Sequence, residues 1–167
     1  MLARKICMVG DFAVGKTSLV ARYVHSTFSS EYHTTIGVKV DSKVLELPSG
    51  DRLKLILWDI AGTSALSTVE KTYLRGSSGY LLVADTTRRN TLDSAISLQE
   101  KAESIIGQQP FVLLLNKIDL EAQCELDLDT VRQLKSRGWE SVYSSALSGQ
   151  GVEEAFGRLG EHLAGMT

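Results

Sequence analysis

Residues Gly10-Asp11-Phe12-Ala13-Val14-Gly15-Lys16-Thr17 set two glycines, a lysine and a hydroxyl at the spacing of a phosphate-binding loop. Glycines let a backbone curl so that successive N–H groups point inward at phosphate oxygens. Lys16 would bring positive charge to the β- and γ-phosphates, and the Thr17 hydroxyl would be a Mg²⁺ ligand. The loop leaves an apolar strand and opens a helix, whose positive end adds to anion binding. A chance glycine-rich turn is the competing reading, and the strand-loop-helix setting argues against it.

A second cluster, Asn116-Lys117-Ile118-Asp119, directly follows the apolar run 111–115, at the edge where open α/β sheets bind ligands. A carboxylate at Asp119 can accept hydrogen bonds from N1–H and the 2-amino group of guanine. Adenine has no matching donors, so such a site would leave a charge unpaired and reject it. The aliphatic stem of Lys117 can lie over the base. Ser144-Ser145-Ala146 can present an N–H to guanine O6; standing alone it would read as a serine-rich turn before a helix.

These clusters need elements to position them. Apolar, β-branched-rich runs recur at 6–9, 38–47, 53–58, 80–84, 111–115 and 141–143. Most are short and continuously apolar, as strands buried on both faces of a parallel sheet must be. Helical stripes lie between them: Leu19, Val20, Tyr23 and Val24; a longer one from Leu92 to Ile106; Val131 and Leu134; and Val152 to Leu163. Only Pro48-Ser49-Gly50-Asp51 joins the second and third runs, too short for a crossover, so that pair should be an antiparallel hairpin. The fold class is therefore α/β, a mixed six-stranded sheet with helices on both faces. Layout alone says nothing about chemistry.

Composition narrows the field. The 167 residues are 43% hydrophobic and 23% charged, ordinary for one globular domain, with a net charge of −2 that gives nucleic acid no basic footprint. Two distant cysteines, Cys7 and Cys124, exclude a disulfide scaffold and favour a reducing compartment. No apolar run approaches the ~20 residues of a membrane span. Leu2 stands where myristoylation needs glycine, and the last residues hold no cysteine for prenylation. The expected location is the cytoplasm, with membranes reached only through a partner or a further C-terminal tail.

With these residues in place the chain resembles the Ras-like small GTPases, the Rab branch most closely, over essentially all 167 residues as one P-loop G domain. The phosphate loop, Thr34-Thr35-Ile36-Gly37, Trp58-Asp59-Ile60-Ala61-Gly62, Asn116 to Asp119 and Ser145-Ala146 stand where that family's five nucleotide motifs stand. Gly138-Trp139 and Gly149 to Phe156 look like its last strand and helix. The resemblance implies a GTP/GDP-binding switch with Mg²⁺, acting in signal transduction or vesicle trafficking. Nucleotide contacts would come from Asp11, Phe12, Ala13, Val14, Gly15, Lys16, Thr17 and Ser18, from Phe28, Tyr32, Thr35 and Gly62, and from Asn116, Lys117, Asp119, Ser145, Ala146 and Leu147. Phe28 would pack edge-on against the base and Tyr32 would lie over the phosphates. Thr17, Thr35 and Asp59 would serve the metal, and Lys16, Thr35, Gly62 and Thr63 would serve catalysis.

Thr35 and Gly62 lie in separate loops that one γ-phosphate and its Mg²⁺ can hold, so losing that phosphate would release both. Effectors, exchange factors and GTPase-activating proteins would meet these loops around Val40, Trp58 and Tyr73, although Val40 and Tyr73 could equally be ordinary packing. The family usually has an aromatic where Val40 stands. His33 reads as a solvated side chain and Cys7 as a core filler. Four positions depart from the family pattern. Thr63 replaces the water-orienting glutamine, Ser64 a glutamate, Phe12 a small residue and Leu147 a lysine. The first and third imply slow intrinsic hydrolysis. A pseudo-GTPase scaffold held GTP-bound, and a G domain cut from a larger regulatory protein, remain the alternatives.

Overall fold

The computed structural model describes residues 1–29, 35, 37–62, 66 and 68–165. Tyr32, His33, Thr34, Ile36, Thr63 and Ser64, named above, lie outside them. Strands β1 (Leu2–Gly10), β2 (Val38–Glu46), β3 (Arg52–Ile60), β4 (Gly79–Asp85), β5 (Phe111–Asn116) and β6 (Ser141–Tyr143) form one six-stranded sheet in the order β2-β3-β1-β4-β5-β6. Only the β2–β3 pair is antiparallel; the other neighbours run parallel. The short 48–51 link is the hairpin turn, closed by Leu47 N–H donating to Asp51 O at 2.8 Å. The helices are α1 (Lys16–His25), α2 (Thr68–Leu74), α3 (Asn90–Ile106), α4 (Leu128–Ser136) and α5 (Val152–Ala164).

Alternation along β1 explains the layers. Ile6 and Met8 turn to one face, where α1 and α5 bury Leu19, Tyr23, Phe156 and Leu159 against the sheet. Cys7 and Val9 turn to the other, under Leu92, Ala95 and Leu98 of α3. Tyr23 and Phe156 stack face to face, ring centroids 3.8 Å apart, and lock α1 to α5. Cys7 is fully buried, its thiol 2.9 Å from the Ser77 hydroxyl, and burial pushes that thiol up to about 11. It is a core residue.

The chain leaves β1 toward β3 on one side and later returns to β4 on the other. The crevice beyond the carboxyl ends of β1 and β4 is thus the topological switch point where α/β sheets bind ligands. The phosphate loop starts there. Gly10 allows it: a side chain at that position would come 2.7 Å from Val83 O on β4. Gly138 and Trp139 lead into β6 without belonging to it, and Gly149 to Gly151 form the turn before α5.

Candidate functional site

Gly15 caps α1 with φ at +105°, and a side chain there would meet Asn116 Nδ2 at 2.3 Å, so backbone angle and close approach both require glycine. The carbonyls of the loop are all engaged. Lys16 Nζ donates to Gly10 O at 3.1 Å and Asp11 O at 3.0 Å. Lys117 Nζ donates to Ala13 O at 2.7 Å, and Asn116 Nδ2 to Val14 O at 2.9 Å. With the Ala13 and Val14 carbonyls held by Lys117 and Asn116, the N–H groups of the same planar trans peptides point the opposite way, as an anion cradle requires. Lys16 is 6% exposed, and burial lowers its amine to about 8, with Asp59 and Asp11 partly opposing that shift.

At the far end of the loop three oxygens converge. Thr17 Oγ1 donates to Asp59 Oδ2 at 2.5 Å and lies 2.7 Å from Thr35 Oγ1. Asp59 Oδ1 is buried and finds no hydrogen-bond partner among the described residues. Burial raises the Asp59 carboxyl above its usual range, against the opposing pull of Thr17 and Lys16. Hard oxygens with an unsatisfied carboxylate fit Mg²⁺, which takes few protein ligands and completes its shell with phosphates and water. Among the described residues no group of three His, Cys, Asp or Glu side chains forms an all-protein cage.

On the base side, Ser145 Oγ donates to Asp119 Oδ1 at 2.7 Å and Ser144 Oγ to Asn116 Oδ1 at 3.2 Å. Arg22 of α1 donates to the carbonyls of Ala146 (2.7 Å) and Leu147 (2.6 Å), tying this loop to the helix behind the phosphate cradle. A cavity of about 570 Å³ runs from Asp119, Ala146 and Leu147, past Phe28 and Lys117, to Lys16, Thr17, Thr35, Gly62 and Phe12. That volume suits a nucleotide-sized ligand.

Fourteen of the positions expected to bind nucleotide line it: Phe12, Ala13, Gly15 to Ser18, Phe28, Thr35, Gly62, Asn116, Lys117, Asp119, Ala146 and Leu147. Three others lie behind it. The Asp11 carboxylate accepts the Phe12 N–H (2.7 Å) and the Ser94 hydroxyl (3.0 Å), Val14 is core, and Ser145 hydrogen-bonds Asp119. Asn116 is a brace with both ends of its amide engaged, as well as a lining residue.

Phe12 is 53% exposed at the cavity rim. The backbone of Gly62 packs on that of Phe12, since a side chain on Gly62 would come 2.8 Å from Phe12 Cα. Sequence reasoning missed Asp85, whose Oδ2 lies 2.9 Å from Lys117 Nζ and 3.1 Å from Arg88 Nε. Burial pushes the Asp85 carboxyl up, but hydrogen bonds from Thr87 and Lys117 outweigh it and hold the group below the usual carboxylate range. Its signal was available: a carboxylate ends the apolar strand β4 at the ligand edge. Val40 faces Trp58 across the β2–β3 ladder, and the Trp58 and Tyr73 rings lie 6.2 Å apart, so the three are contiguous. Val40 is half exposed, whereas Trp58 and Tyr73 also pack on the core.

Sheet order, phosphate loop and cavity together define a P-loop nucleotide-binding fold of the small-GTPase type. The Ras family model matches residues 5–164. The Ras-related protein Rab-4 of Dictyostelium discoideum is 34% identical over 91% of this chain and 75% of its own length. The Ras-related protein Rab-4A of Homo sapiens is 33% identical over 91% of this chain and 70% of its own. The Ras-related protein Rab-13 of Mesocricetus auratus is 32% identical over 95% and 79% respectively. The chain belongs to the Ras family, within which its sequence is Rab-like, and as such is a small nucleotide-binding GTPase.

Proposed function

We propose that the protein, as one G domain, is a guanine-nucleotide switch that cycles slowly between GTP and GDP. The observation that carries this reading is the convergence of the phosphate cradle, Asp119, Thr17 and Thr35 on one cavity, with the Asp59 carboxylate hydrogen-bonded behind Thr17. Backbone N–H groups of the loop and the Lys16 amine hold the phosphates. Asp119, fixed by Ser145, reads the guanine edge, with Lys117 and Phe28 against the base. Thr17, Thr35 and Asp59 would hold Mg²⁺, which supplies neutralising charge on the phosphate oxygens. Thr35 and the Gly62 N–H sense the γ-phosphate, and loss of that phosphate frees both segments for partners that read the surface around Val40, Trp58 and Tyr73. The Rab-like sequence puts vesicle trafficking first among the processes served, in the cytoplasm and on membranes reached through a partner or a further C-terminal tail.

Hydrolysis is slow in this reading because Thr63 lacks a carboxamide and Phe12, whose backbone packs on Gly62, carries an exposed ring at the cavity. That exposed ring also supports a second reading, a scaffold held permanently in the GTP form. Chromatography of the nucleotide that co-purifies, followed by competition of GTP against ATP, tests the first claim; equal affinities would end it. Single-turnover hydrolysis separates the switch from the scaffold: turnover over hours favours the switch, none favours the scaffold.

A further inference from the structure

The turn of the phosphate loop adopts a conformation its sequence does not favour. Ala13 has φ at +56°, the left-handed region that disfavours residues with a side chain. Three successive carbonyls hold this turn in place. Asn116 takes that of Val14 and Lys117 that of Ala13, both from the guanine-side motif. The third, Phe12 O, accepts from Arg88 Nη2. Arg88 stands outside every motif in the sequence, and it does not line the cavity.

Its other end is fixed as well. Arg88 Nε lies 3.1 Å from Asp85 Oδ2, the same oxygen that Lys117 Nζ approaches at 2.9 Å. The Asp85 side chain is 1% exposed, and its Oδ1 accepts the Thr87 N–H (2.9 Å) and hydroxyl (2.6 Å), so it cannot swing away. A rigid guanidinium fork can span a carboxylate and a carbonyl at once, which a single amine does poorly. Because the peptide unit is planar and trans, holding Phe12 O from outside aims the Ala13 N–H to the opposite side. Ala13 lines the cavity.

We propose that Arg88 is a positioning residue that keeps an alanine-containing phosphate loop in its nucleotide-binding shape by bridging Phe12 O to Asp85. The inference rests on the guanine-nucleotide reading above. Without the bridge, the Phe12–Ala13 peptide can rotate to relieve the left-handed alanine, and its N–H leaves the cradle. A glycine at position 13 has no such strain to relieve, so the need for Arg88 should vanish with it.

The test is the release rate of a fluorescent GDP analogue from four proteins: wild type, Arg88→Ala, Ala13→Gly and the double variant. Arg88→Ala should release the analogue about tenfold faster than wild type, the rate equivalent of the alanine's left-handed penalty. In the Ala13→Gly background the same substitution should change release by about twofold or less. A purely structural role for Arg88 would not be rescued at position 13. Arg88→Lys keeps the charge with one nitrogen for two acceptors; it carries the test if the alanine variant does not fold, with a smaller acceleration that Ala13→Gly again removes. Equal acceleration in both backgrounds, or unchanged release in Arg88→Ala, overturns the proposal while leaving guanine binding intact. Failure of the wild type to bind the analogue at all would instead overturn the guanine-nucleotide reading.

Discussion

Ser145 donates its hydroxyl to Asp119 Oδ1, which leaves the opposite carboxylate oxygen, with the orientation of the group fixed, to meet a base edge. That hydrogen bond decides how Asp119→Asn behaves. The asparagine carbonyl takes the place of Oδ1 to keep the Ser145 bond, and its NH₂ faces the base. Guanine presents donors there and is refused; xanthine presents a 2-oxo acceptor and is welcomed. GTP affinity should fall by about 10⁴-fold or more while the affinity for the xanthine triphosphate rises, read by competition titration. A parallel loss for both bases would mean that Asp119 supports the loop without reading the base. Hydrolysis is the other prediction at this scale. Thr63→Gln alone should rescue little, because Phe12, whose backbone packs on Gly62, would still bring its exposed ring against the carboxamide. Thr63→Gln with Phe12→Gly should rescue far more than the two singles multiplied together. A fast wild type in single-turnover GTP hydrolysis, or full rescue by Thr63→Gln alone, would show that Phe12 points elsewhere when nucleotide is bound.

The element that carries Ser144 to Leu147, the segment proposed to meet guanine, is the β6–α5 turn, and a glycine sets it. Gly151 caps α5 at φ +74°, where a side chain would come 2.0 Å from Tyr143 O at the end of β6. Gly151→Ala combines left-handed strain with a backbone clash and should cost about 2 kcal/mol or more in urea unfolding. It should also weaken guanine nucleotide binding, since Ser144 to Leu147 start where β6 ends. Gly157, inside the same helix with nothing within 4 Å of an added side chain, is the control: Gly157→Ala should gain about 0.5–1 kcal/mol. Both are compared at fixed nucleotide concentration, because bound ligand adds to stability. A stabilising Gly151→Ala would show that β6 can shift. The sequence made β4, β5 and the β2–β3 hairpin legible because burial on two faces, or a four-residue link, leaves few alternatives. The first half of β1 was hidden. Leu2 to Lys5 pair with β3 alone, so they need no apolar run, and Lys5 instead lays its amine 3.8 Å over the Trp58 ring. Helix α2 was missed because seven residues give too few turns for a stripe. Motif residues could be read from spacing, whereas the bonds of Arg88 to Phe12 O and of Arg22 to Ala146 O are made only by folding, across separations that no local pattern records.

At the scale of the whole molecule, the β2–β3 hairpin joins the two segments that would sense the γ-phosphate. Thr35 precedes β2 and Gly62 follows β3, and Ala61 N–H donates to Gly37 O at 2.9 Å between them. The hairpin is held by a nine-pair ladder from Val38↔Ile60 to Glu46↔Arg52, so it does not need nucleotide to persist. A change at the phosphate should therefore act on the segments beyond this last rung and leave the rung itself alone. Amide hydrogen exchange followed by NMR tests that boundary. With a non-hydrolysable GTP analogue and Mg²⁺, the amides of Thr35 and Gly62 should exchange on the order of tenfold or more slowly than with GDP, while Ala61 exchanges equally in both. Chelating the metal should release Thr35 more than Gly62, because in the proposed reading Thr35 would meet the metal through its hydroxyl, which lies beside that of Thr17, and Gly62 would meet the phosphate through its backbone. Thr17→Asn should mimic chelation and weaken triphosphate binding more than diphosphate binding. Equal exchange at Thr35 and Gly62 in the two nucleotide states would leave a nucleotide-binding domain without a switch; a change that spread through Ala61 into the ladder would mean that the hairpin moves as a body.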